Sequence, residues 1–227
     1  MAKKKQSNRI PDKYKELSIL LTIVLFSILL WDTFLIYPIK LFVVIWHEIA
    51  HGFAAIFTGG RIHEISISFQ LGGLCTTEDG IPFLVASSGY LGSLIIGYGI
   101  FITSFDPKAG KWLLTTLAVI MILFAANFVS SPAGGIMMIL FSALLFLSPR
   151  YIPKVYNAYL WRTLGLISCL YVVIDIKQDI FSDIFIRNDA HIIAEITGVS
   201  AGFWGFLWLL ISLLVVARLI WYTFNKK

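Results

Sequence analysis

In a chain of 227 residues, 58% are hydrophobic and 14% charged, against roughly a quarter charged in an ordinary soluble domain. Apolar stretches long enough to cross a bilayer recur along its whole length, which excludes a soluble globular fold. The net charge of +5 does not point to nucleic acid. Lys3, Lys4, Lys5, Arg9, Lys13 and Lys15 crowd the start, and Arg218, Lys226 and Lys227 the end. Basic residues flanking apolar spans follow the positive-inside rule and assign the N-terminus to the cytoplasm.

The first span is expected from Leu17 to Tyr37, with Trp31 and Tyr37 suited to the interface. Residues 1–16 precede it as a basic cytoplasmic tail, and 17–227 read as a single domain. Its apolar run has no small-residue cleavage site before Trp31-Asp32, so it reads as retained rather than as a signal peptide. A turn at Pro38 and Lys40 leads into a second span, Leu41 to Thr58, which ends at Gly59-Gly60. From Ile65 to Leu71 apolar and polar residues alternate strictly, the pattern of a strand. Gly72-Gly73 can turn it, and Leu74 to Thr77 can pair back. Further spans are expected at Pro82 to Ser104, Lys111 to Asn127, Gly134 to Leu147, Ala158 to Asp175 and Gly202 to Tyr222. Between Lys177 and Thr197 lies the longest polar connection. The fold class is all-α and polytopic, with six or seven transmembrane helices and one short β-hairpin after the second. Cys75 and Cys169 are far apart and lack metal spacing.

His47-Glu48-Ile49-Ala50-His51 lies inside the second span. Four residues apart on a helix, the imidazoles share one face and can hold one metal ion. Glu48 is rotated by about 100° from His47, poorly placed as a ligand but within reach of a water on the metal. Three ionisable residues at membrane depth are costly, which points to function. A catalytic zinc site usually has three protein ligands. Asp175, at the end of the apolar run Leu170 to Ile174, is the preferred third, with Asp179 one turn further on as its rival. His63 and His191 read as surface histidines.

These residues resemble the site-2 protease family of intramembrane zinc metalloproteases, in its small bacterial and plant-type branch. The likeness is carried by His47 to Gly52, by Thr58-Gly59-Gly60-Arg61 leading into a strand, and by Ala86-Ser87-Ser88-Gly89-Tyr90-Leu91-Gly92. Ile174 to Asp179 and the stretches Asn188-Asp189-Ala190 and Glu195 to Gly198 add to it. It implies a zinc hydrolase acting on a membrane-embedded or membrane-adjacent peptide, with the bilayer as its setting. In other branches the third ligand is an aspartate before glycine, after an Asn and a Pro. Here Asn127, Pro132, Gly134 and Gly135 occupy that region without an acid. The resemblance leaves Asn127 as a candidate substrate or oxyanion contact, and the hairpin as an edge to which a peptide can add as a strand. Two other functions fit the same residues: a zinc-binding regulator without proteolysis, and a proton or ion pathway through His47, Glu48 and Asp175.

One depth problem follows. If every apolar run crosses, the second and sixth spans point the same way, and His47 and Asp175 sit on the order of 10–15 Å apart in depth. A re-entrant segment around Ser130-Ser131-Pro132 and Gly134-Gly135 would reverse one of them and bring the pair level. It would also put both termini and the Arg150–Lys154 loop on one side.

Overall fold

The computed structural model describes residues 12–181 and 188–225, with side chains described for 14–176 and 188–225. The elements are α1 (Asp12–Leu29), α2 (Tyr37–Phe57), β1 (Arg61–Ile67), β2 (Gly73–Glu78), α3 (Pro82–Thr103), α4 (Pro107–Phe128), α5 (Pro132–Tyr151), α6 (Lys154–Phe181), α7 (Asp189–Thr197) and α8 (Ala201–Asn225). Prolines punctuate the chain: α2, α3, α4 and α5 each carry one in the first turn. There the missing N–H has no partner to lose. Asp106 and Ser131 cap α4 and α5 with their side chains.

Among the described residues six helices, α2 to α6 and α8, are long and apolar enough to span a membrane, so this is a multi-pass integral membrane protein. The chain on both sides of Pro132 is among them, as α4 and α5. Helix α1 begins at Asp12, inside the expected tail, and carries Lys13, Lys15 and Glu16 in its first turns. It runs beside the first part of α6. Glu16 pairs with Arg162 and accepts from Tyr159, and Trp31, just past its end, meets Tyr171 at 5.8 Å. Helix α2 begins level with that point, where Lys40 lies 4.6 Å from the Trp31 ring.

Directions follow from the contacts. The end of α2 meets the start of α3, where Ile81 N donates to Thr58 Oγ1 at 3.0 Å. The end of α3 meets the start of α6 through Ser104 and Arg162. Both pairs are antiparallel, so α2 and α6 run the same way. The re-entrant arrangement expected around Pro132 is therefore not the one adopted, since α5 is a full-length helix there. The depth gap closes differently: His47 lies midway along α2, which starts at Tyr37, and not near the surface.

Helices α3 and α6 cross at Gly97 and Gly165, where backbones touch; a Cβ on Gly165 would press on Gly97 O and Phe101 N at 2.7 Å. Small residues at such a crossing are the usual means of close packing in lipid. A hairpin forms after α2 as expected, but displaced along the chain: β1 starts at Arg61 and ends at Ile67, and residues 68–72 make the turn rather than Gly72-Gly73. Ile65 stands opposite Cys75 and Ile67 opposite Gly73. An irregularity between Ile62 and Glu64 shifts the buried face, so Ile62, Ile65 and Ile67 all point inward. The outer edge of β1 is taken. Ser130 N donates to Ile65 O at 3.0 Å, and Ser131 Oγ bonds both Ile67 N and Ile67 O.

Candidate metal centre

The two histidines of α2 face one side and their rings lie 4.7 Å apart. His51 Nδ1 is 2.7 Å from Val85 O; a carbonyl only accepts, so Nδ1 carries the proton. In the neutral ring this leaves the Nε2 lone pair free for a metal, the arrangement that orients a histidine ligand. His47 packs edge-on against Tyr90 at 4.9 Å, and Tyr90 in turn against Trp208 of α8.

The third group is Asp189. Its Oδ2 stands 3.0 Å from His47 Nε2 and 3.3 Å from His51 Nε2, and ligand atoms of the three residues all lie within 4.8 Å of one another. A tetrahedral zinc with bonds of about 2.1 Å separates its donors by roughly 3.4 Å. Two imidazole nitrogens and one carboxylate oxygen at these separations fit such an ion and leave a fourth position open.

Asp189 reaches this point because α7, a helix inside what reads as a polar connection, packs against α3 and α8. Asn188 caps α7, with His191 N donating to its side chain, and Gly198 closes it in the left-handed conformation at φ 71°. The signal was present in the sequence: an Asn cap, then Ile192, Ile193 and Ile196, then a glycine. Asp175, expected as the third ligand, is not a member of the cluster. It is half-buried on α6 and close enough to His47 to act on it through its charge. Asp179 lies outside the residues whose side chains are described.

Glu48 is buried. Strand β2 runs beside its carboxylate, so close at Gly73 that a Cβ there would overlap it. Gly89 of α3 stands likewise against the histidines, where a Cβ would overlap Nε2 of both rings. Neither glycine was marked by the sequence reading as a wall of the site. Asn127 is exposed on α4 and donates its amide to Leu123 O at 2.7 Å, within its own helix. His63 lies away from the centre, 2.9 Å from Glu78 Oε2. His191 Nδ1 is 2.7 Å from Asn188 Oδ1.

A family model described as peptidase M50B-like matches residues 20–219. No curated protein and no solved structure matches the chain.

Proposed function

The chain belongs to the site-2 protease family through its peptidase M50B-like match, and from that premise we propose that it is an intramembrane zinc metalloprotease hydrolysing peptide bonds of membrane-embedded or membrane-adjacent substrates. The observation that carries this reading is the convergence of His47, His51 and Asp189 beside a buried Glu48. His47 Nε2, His51 Nε2 and the Asp189 carboxylate would hold the ion. Once bound, zinc would supply the Lewis acidity that activates a water and polarises the scissile carbonyl.

The remaining work belongs to the chain's own residues. Glu48 accepts the proton of the attacking water and passes it to the leaving amide nitrogen. Gly73 of β2, with no Cβ, leaves the room in which the Glu48 carboxylate sits. A peptide bond inside a helix is shielded by its own hydrogen bonds, so the substrate must be unwound and held extended. With the outer edge of β1 taken by residues 129–131, the strand that receives it is β2, whose Gly73 and Cys75 lie against Glu48. Asn127 is left without a substrate role because its amide is spent on Leu123. The basic face, where α1 begins and α8 ends, is the cytoplasmic one.

The test is cleavage of a reconstituted transmembrane reporter peptide together with zinc content. Glu48→Gln is expected to keep zinc and stop cleavage; cleavage at the wild-type rate ends the reading.

A further inference from the structure

The two histidines of α2 are held in different ways. His51 is tied by a hydrogen bond, its Nδ1 lying 2.7 Å from Val85 O. His47 turns its Nε2 to Asp189, and among the described residues no hydrogen bond reaches its Nδ1. A histidine that ligates a metal is ordinarily oriented through its second nitrogen. In place of that bond His47 has a ring. Tyr90 of α3 meets it with centroids 4.9 Å apart and planes at 87°, the T-shaped geometry that aromatic pairs favour. Tyr90 is only 3% exposed, and Trp208 of α8, itself 2% exposed, stands behind it at 5.0 Å. The tyrosine ring is therefore closed in on both sides.

Trp208 has a companion on its own helix. Trp204 lies four residues earlier, hence on the same face of α8. Its Nε1 donates to Thr197 Oγ1 at 3.1 Å, at the end of α7, and its ring meets Phe83 in the first turn of α3 at 5.2 Å. Helix α7 carries Asp189 as its first residue. One face of α8 thus reaches two of the three candidate ligands: His47 through Tyr90, and the helix of Asp189 through Thr197. The opposite face bears the exposed Phe206, Leu210 and Leu213. The inward stripe is narrow, and its two tryptophans are both spent on the surroundings of the metal centre.

From this geometry we infer that Tyr90 is a positioning residue for His47, with Trp208 as its support. The column Trp208–Tyr90–His47 does for one ligand what the Val85 carbonyl does for the other. A ring contact holds the imidazole in one orientation and leaves its Nε2 to the ion. The inference rests on the metal-binding part of the proposed function and not on the cleavage step.

The test uses the full chain in detergent. Zinc affinity is read by competition with a chelator, and ligand geometry by the visible spectrum of the cobalt(II)-substituted protein. Tyr90→Leu is expected to bind zinc roughly 10-fold more weakly, the low end for loss of an outer-shell partner, and to change the cobalt spectrum. Tyr90→Phe keeps the ring and should match wild type in both. Trp208→Leu should shift both in the same direction as Tyr90→Leu. The control is Leu219→Ala, which opens a cavity at a fully buried position of the same helix, about three turns away. It should lower thermal stability and leave affinity and spectrum unchanged. Wild-type affinity and spectrum in Tyr90→Leu overturn the inference. So does a loss in Tyr90→Phe as large as in Tyr90→Leu, which would give the role to the hydroxyl. An equal loss in Leu219→Ala overturns it too, because the effect would then be one of general packing. Wild type that takes up no zinc is a different result, ending the proposed function and the inference with it.

Discussion

Gly89 and Gly73 do the same steric job on two halves of one motif, yet what each protects differs. Gly89 admits the two imidazoles against α3, a helix whose buried face is packed against α2 and α6. Gly73 admits the Glu48 carboxylate against a two-stranded hairpin whose burial is shallow on the β2 side. The atoms proposed to hold the metal are thus walled by helices, and the atom proposed to handle the proton by a strand. On the proposed reading, binding of the ion and use of the ion are expected to be separable by mutation.

The largest effect expected is at the third ligand. Asp189→Asn should empty the site, because two histidines alone do not make a stable zinc centre, and cleavage should fall to background. Asp175→Asn should keep its zinc. Elemental analysis of both proteins decides, and loss of zinc from Asp175→Asn alone would return the ligand to α6.

Gly89→Ala comes next. Its Cβ meets both rings, and His51 cannot retreat without losing Val85 O, so zinc occupancy should drop along with activity. Full occupancy in this variant would break the contrast between the two walls.

Gly73→Ala is expected to be milder and different in kind. The overlapping group is the end of a flexible side chain, so Glu48 shifts while the ion stays, and turnover falls by up to roughly 10²-fold, the low end of what general-base loss costs. A variant that loses zinc as well would show that the hairpin also supports the ligands.

The smallest effect belongs to the hairpin base. Arg61 donates to Glu78 and holds its carboxyl below the usual range, with His63 adding to it. A lowered folded-state value means this contribution is present above the ordinary glutamate pKa and is lost as pH falls through the folded one. Glu78→Gln should lower thermal stability slightly at pH 7, and the difference should vanish as pH falls below the folded-state value. A difference that persists there would mean that packing, not charge, supports the hairpin base.

Much of this was written in local patterns. Apolar length marked the spans, alternation marked a hairpin though not its ends or register, and helical spacing put His47 and His51 on one face, since each of these depends on residues only a few positions apart. Tertiary structure decided the rest. The third carboxylate is 138 residues from His51 in a short capped helix, and no periodicity links the two. Asp175 was the better local choice because it ends an apolar run, but the packing of α7 on α3 and α8 gave the position to Asp189. The place of α1 was likewise decided by its neighbours, where the Glu16–Arg162 pair holds it beside α6. The two glycines of the site read as turn or helix residues in the sequence. Only the fold shows what each leaves room for, because a missing Cβ has meaning only when the atom that would collide with it is known.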